Sequence, residues 1–277
     1  MVFKLLEGEA YLYNGLLFLT KGYQHPEGFV VAYPRYSLLT GTKLRDYERL
    51  QYSTSFYWSC IKQRVPTIPL SEAVVYKDGS LSSAANYIIE LIRSLLEVDV
   101  YLTGSALIAD SYNDIDIVVY GANQGVVERL SEAFNRGVIE RSEWLIIEDY
   151  LGKHSKEMSL SDYLYLKRRT LLHGNYRGTH INLKLVEMKQ GFNGCVDPVY
   201  SCSSYTGVVK LIEPLNPHLI PARYRVELDG REATLETMRE LYCELGPGLY
   251  YSHNCRLEYR RGGLYIMPDQ CSFTPLR

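Results

Sequence analysis

The chain has 277 residues, enough for two domains with cores of their own. Hydrophobic residues make up 46% and charged residues 22%, which excludes a disordered chain, and a formal net charge of −2 excludes a global basic field for nucleic acid. No run approaches the ~20 apolar residues that span a bilayer, and Glu7 and Glu9 come too early for a signal peptide, so a cytoplasmic protein with no membrane partner is expected.

Residues 1–75 read as β-rich. Glu9-Ala-Tyr-Leu-Tyr and Leu16-Leu-Phe-Leu-Thr flank Asn14-Gly15, the strongest short hairpin signal. A further strand, Phe29-Val-Val-Ala-Tyr, is expected to end at Pro34-Arg35-Tyr36, and Tyr47 to Lys62 is ambiguous between strand and helix. Residues 76–192 alternate helix and strand. Ser82-Ser83 can cap a helix through Glu97 whose apolar face carries Ala85, Ile88, Ile89, Ile92, Leu95 and Leu96. Strands at 99–103 and 114–120 follow, then a helix ending at Gly137, helices near 142–151 and 161–172, and a strand from His180 to Glu187. Residues 193–277 return to strands, as a small antiparallel sheet or barrel.

Six cysteines, at 60, 195, 202, 243, 255 and 271, form no CxxC pair and suit no zinc site. In an ordinary cytosol they are expected to be reduced and buried, with disulfides fitting only a hyperthermophile. The 25 tyrosines are spread along the whole chain, which points to half-buried strand packing before base stacking.

The most informative stretch runs from residue 99 to 119. An apolar strand enters Gly104-Ser105, a short loop follows, and a second strand carries Asp114 and Asp116. Positions i and i+2 of a strand share one face about 6.7 Å apart, so both carboxylates can converge on one hard cation. Gly104 leaves the backbone bare where a phosphate could approach, and Ser105 adds an N–H and a hydroxyl.

These residues resemble the signature of the nucleotidyltransferase superfamily typified by DNA polymerase beta: Gly-Ser, a short loop, then Asp-x-Asp on a strand, here with Asn113 before the first aspartate. The outer segments Leu16-Leu-Phe-Leu-Thr-Lys-Gly-Tyr-Gln-His-Pro and Val31-Ala-Tyr-Pro-Arg-Tyr are similar to the start of a group of archaeal nucleotidyltransferase-domain proteins. The resemblance implies an α+β fold, a nucleotidyltransferase-like mixed sheet with helices flanked by β-rich N- and C-terminal segments. It implies transfer of a nucleoside monophosphate from an NTP to a hydroxyl, with Asp114 and Asp116 ligating Mg²⁺ or Mn²⁺ and Gly104 and Ser105 binding phosphate.

It also implies a third carboxylate on a neighbouring strand. Here Ile181, Leu183, Leu185 and Glu187 share one face of the third strand, while His180, Asn182, Lys184 and Val186 share the other, which carries no acid. Lys184 could pair with an aspartate and displace a metal, or bind the nucleotide. Arg168 and Arg169, in the basic stretch from Lys167 to Arg177, are candidates for triphosphate or for an RNA or DNA backbone. The alternative function is therefore a catalytically inactive module of the same shape that binds nucleotide or nucleic acid.

Overall fold

The computed structural model describes residues 4–52, 55–76, 83–108 and 114–276, and divides the chain into two units. The first comprises residues 1–122 and 181–198, the second residues 123–180 and 199–277.

In the first unit, strands Ala10–Tyr13 and Leu16–Thr20 form the expected hairpin, with Asn14 and Gly15 both at positive φ as a type I′ turn requires. Leu16–Thr20 pairs with Phe29–Ser37, which runs straight through Pro34. The register slips there: Leu17 faces Tyr36 and Phe18 faces Pro34, so Arg35 is the extra residue of a bulge. The bulge is what admits a proline to the strand. The ambiguous segment resolves into both elements, helix Asp46–Tyr52 and strand Ser55–Trp58. Helix Ser83–Leu96 buries Ala85, Ile88, Ile89, Ile92 and Leu96, as its spacing predicts; Ser82, one of its expected caps, lies outside the described residues. Strands Val100–Thr103 and Asp114–Tyr120 pair antiparallel, and strand Thr179–Val186, whose residues 181–186 belong to this unit, lies on the other flank of Asp114–Tyr120.

The second unit holds three α-helices among its described residues, and a barrel. Helix Gln124–Asn135 is capped by the Asn123 side chain accepting from Val126 N. Helix Glu143–Asp149 passes into a π-turn at Tyr150–His154, and Ser159 caps helix Leu160–Lys167. Strand Val199–Pro214 pairs antiparallel with both Ala222–Leu228 and Gly248–Arg260. Arg231–Thr237 and Gly263–Met267 complete a ring of five strands that closes on itself. Alternate residues Ala222, Tyr224, Val226 and Leu228 are buried, and Tyr250 stacks on Phe273 with ring centroids 5.1 Å apart.

The expected α+β class is overturned. Strand makes up 46% of the chain and helix 21%, and a closed five-stranded barrel replaces the expected arrangement of a nucleotidyltransferase-like mixed sheet with flanking β-rich segments. The cause is partly local. Val199–Pro214 carries bulges between Tyr205 and Gly207 and between Leu211 and Glu213, which break the period-2 pattern and disguise one long bent strand as short ones. The helix expected at 161–172 is shorter, ending at Lys167, while the one expected at 142–151 keeps its extent by continuing from Asp149 as a π-turn to His154.

The cysteine expectation is corrected too. Cys60 and Cys195 form a disulfide within the first unit, and Cys255 and Cys271 form one within the second. Their Cα atoms stand 5.7 and 4.9 Å apart, inside the range a disulfide spans. Sequence separations of 135 and 16 leave no spacing signal to read. Cys202 is free and exposed, Cys243 free and buried.

His25 is fully buried in the first unit. Its Nδ1 accepts from Val31 N at 3.1 Å, which leaves Nε2–H to donate to Leu5 O at 2.9 Å. The Nδ1 bond requires the neutral ring, and burial, outweighing the Leu5 carbonyl that favours the charged form, lowers the pKa from 6.5 to about 4. Between those values the unfolded chain binds the extra proton, so stability falls as pH drops from 6.5 to 4, by roughly 3 kcal/mol from this group. The His25 ring proton resonances in an NMR titration are expected to stay in their neutral positions at pH 5; a midpoint near 6.5 would refute this. Reduction of Cys60–Cys195 removes a loop constraint of about 5 kcal/mol by chain entropy, against about 3 kcal/mol for Cys255–Cys271. The Cys60→Ser/Cys195→Ser variant is therefore expected to melt below the Cys255→Ser/Cys271→Ser variant, and equal melting temperatures would contradict the assignment.

Candidate functional site

Strand Asp114–Tyr120 sets the site by alternation. Ile115, Ile117 and Val119 are buried on one face, while Asp114 and Asp116 share the other and are half-buried. Across the antiparallel pairing Asp116 faces Thr103, a buried residue whose Oγ1 donates to Gly8 O at 2.9 Å. Gly104 follows at φ 77°, ψ −153°. A Cβ there would lie 2.0 Å from Asp116 Oδ2, so only glycine permits both the backbone conformation and the carboxylate beside it. Ser105 begins a short 3₁₀ turn, Ser105–Leu107, which Ala106 and Leu107 anchor in the core.

The third strand brings in Asn182. Ile181, Leu183 and Leu185 are buried on its apolar face, and Asn182, 3% exposed, projects from the other. Its Nδ2 donates to Asp114 Oδ2 at 2.8 Å and to Asp116 Oδ1 at 3.0 Å. One amide thus bridges both carboxylates. Its Oδ1 is buried and has no hydrogen-bond partner among the described residues.

In the first unit Gly104 thus lies against Asp116, with Ser105 next to it in the chain, and Asp114 and Asp116 meet at the Asn182 amide. Lys184 is half-buried on the Asn182 strand and forms an ion pair with Glu7 at 3.9 Å. Buried Glu7 also holds Lys21 and accepts from Gly22 N. Arg168 and Arg169 belong to the second unit, exposed at the end of helix Leu160–Lys167. Lys167 is no surface cation: its Nζ is buried and donates to the Glu240 and Cys243 carbonyls. Asn113 lies outside the described residues.

Sequence reading missed Tyr36 and Arg35. Burial pushes the Tyr36 hydroxyl up, the Arg35 guanidinium pulls it back, and the charges of Asp116 and Asp114 push it up again. The phenol thus sits within electrostatic reach of both carboxylates, with Arg35 hydrogen-bonded to it. The signal was Pro34 inside an otherwise strand-like run, which marks a bulge and a re-aimed side chain.

The donor set tests whether a divalent cation fits. Among the described residues no group of three His, Cys, Asp or Glu side chains could hold a metal ion. Two carboxylate oxygens already converge on one amide nitrogen, however, and Mg²⁺ commonly takes only one or two carboxylates, with waters and substrate phosphates completing its shell. The residues fit one such ion.

Gly104→Ala puts a side chain at positive φ and into Asp116. The substitution is expected to cost roughly 1–3 kcal/mol and to displace the carboxylate. Urea unfolding measures the cost, and an unchanged midpoint would contradict the prediction.

Compared with family models, with curated proteins and with solved structures, the chain matches none of them.

Proposed function

We propose that this chain binds a nucleoside triphosphate together with one divalent cation, Mg²⁺ or Mn²⁺, at Asp114 and Asp116. The observation that supports this most is the convergence of the two carboxylates on the single Asn182 amide, beside a glycine that must stay bare. Paired like charges on a strand face are costly unless something cationic or a strong donor neutralises them. A cation with phosphate oxygens on its open side is the ligand this arrangement suits.

In this reading Asp114 and Asp116 hold the ion, which screens the charge of the phosphate oxygens. Gly104 makes room for the Asp116 carboxylate at the ion, and the Ser105 hydroxyl donates to the phosphates. Arg35, on its bulge, offers a planar fork to the triphosphate. Lys184, paired with Glu7 on the strand of Asn182, contributes positive potential.

Transfer of the nucleoside monophosphate to a hydroxyl acceptor is the second reading, favoured by the Gly104-Ser105 and Asp114/Asp116 arrangement. It needs a base for the acceptor hydroxyl and a clamp on both the entering and the leaving oxygen. The residue that bridges the two aspartates is an amide, Asn182, which can act neither as a base nor as a charged clamp, and this favours binding without turnover. Exposed Arg168 and Arg169 leave RNA or DNA as a further partner of the second unit. Among the described residues no helix is long and apolar enough to cross a membrane. A cytoplasmic placement belongs to the same proposal, with two disulfides restricting it to a cell interior that tolerates them, as in hyperthermophiles.

Calorimetric titration of the four NTPs, with Mg²⁺, with Mn²⁺ and with EDTA, tests the proposal. Metal-dependent binding is expected, weakened at least about tenfold in Asp114→Asn/Asp116→Asn, the loss of roughly 1.4 kcal/mol or more. Absence of binding under every metal condition would refute it, and pyrophosphate release on adding RNA, DNA or small alcohols would move the protein to the transferase reading.

A further inference from the structure

Asn182 presents an imbalance. Its amide has two N–H donors and an acceptor oxygen. Both donors are used, on Asp114 and Asp116, while Oδ1 is buried without a hydrogen-bond partner among the described residues. A buried acceptor left unmet keeps its desolvation penalty with no hydrogen bond in return. With two carboxylates facing it, the amide turns its NH₂ toward them, and the orphaned oxygen at its other end is the cost of that orientation.

We propose that Asn182 is the third ligand of this site and limits it to a single divalent cation, its side-chain amide reversing when the ion enters. In the structure the two N–H groups stand in for positive charge. Rotation about the Cβ–Cγ bond exchanges Nδ2 and Oδ1 with little change in shape, because the two ends of the amide are nearly the same size. Oδ1 then joins the carboxylate oxygens in an all-oxygen set, the donor chemistry that Mg²⁺, Mn²⁺ and Ca²⁺ prefer.

Charge sets the stoichiometry. Asp114, Asp116 and neutral Asn182 supply two negative charges, which one divalent ion balances. A second ion would bring two positive charges more than these three side chains balance, with Arg35 and Lys184 already near, whereas an aspartate at 182 would supply a third negative charge toward holding a pair. Asn182 is thus the residue that separates a one-ion binding site from a two-ion site.

This inference rests on the reading of Asp114 and Asp116 as the cation site, and the experiment separates the two. The probe is Mn²⁺ alone, followed by the electron paramagnetic resonance signal of the free ion, on wild type, Asp116→Asn, Asn182→Leu and Asn182→Asp. Wild type is expected to bind one ion, Asn182→Leu to bind it roughly 10–100-fold more weakly, and Asn182→Asp to bind two. In parallel, the Asn182 side-chain NH₂ resonances of wild type should shift on adding Mg²⁺, as the amide leaves its carboxylates. Circular dichroism checks the fold of each variant, and the Mg²⁺ shift in wild type stands independently of all of them should the bridged strands of Asn182→Leu loosen. Should Asp116→Asn abolish Mn²⁺ binding while Asn182→Leu and Asn182→Asp behave as wild type, the role of Asn182 is overturned and the cation site stands. If wild type binds no Mn²⁺, both fall.

Discussion

The contact on which the site depends is one side-chain amide lying between two carboxylates. Asp114 and Asp116 are forced onto the same face by strand geometry, and that face is half-buried, where repulsion is poorly screened. Asn182 answers with two N–H donors from the adjoining strand. Around this bridge the other pieces fall into place. Gly104 gives up a side chain so that Asp116 can sit against the backbone, and Arg35 and Tyr36 are presented by a bulge in a different sheet. Lys184, two residues along from Asn182, is drawn to Glu7. The site is thus assembled from the N-terminal strands, the central hairpin and a strand some 70 residues later, all within one unit.

Much of the first unit is legible in the chain itself. Asn14-Gly15 demands its turn, the helix face from Ala85 to Leu96 follows a clear period, and Gly104, Ser105, Asp114 and Asp116 declare themselves by order and spacing. Each of these is a local signal. What stays illegible depends on distant parts of the chain. The bridge from Asn182 spans 66 to 68 positions, and an asparagine alone on a strand carries no mark of its partner. The barrel is hidden for a different reason: bulges interrupt the alternation that identifies a strand. Helical segments resting on a familiar motif then receive too much weight in the expected fold class. Lys167 illustrates the same limit for charge, since nothing in Lys167-Arg168-Arg169 says that the first of the three is buried on carbonyls while the others are exposed.

Beyond the site, the second unit shows how this chain tolerates buried charge. Arg260 lies between Glu236 and Glu258, which also receive Arg223 and Arg256. The neighbouring guanidinium groups of Arg260 and Arg223 overcome the effect of burial and hold the Glu236 carboxyl below its ordinary value. There, carboxylates and guanidinium groups alternate along a single chain of contacts, so that each carboxylate lies between two guanidinium groups. At Asp114 and Asp116 the bridging group is a neutral amide, which supplies hydrogen bonds to both carboxylates but no charge to offset theirs.

The disulfide between Cys60 and Cys195 has a topological result. Gly104, Ser105, Asp114, Asp116 and Asn182 all fall between these two cysteines, so the covalent ring they close contains the whole of the central constellation. Backbone cleavage at any one point inside that ring opens a loop without producing separate pieces. An oxidised chain could therefore be nicked once and still hold both halves of its carboxylate–amide bridge on a single molecule. Arg35 and Tyr36 lie outside the ring; Tyr36 is held toward the site by side-chain packing, in one cluster with Leu107 of the turn that follows Gly104.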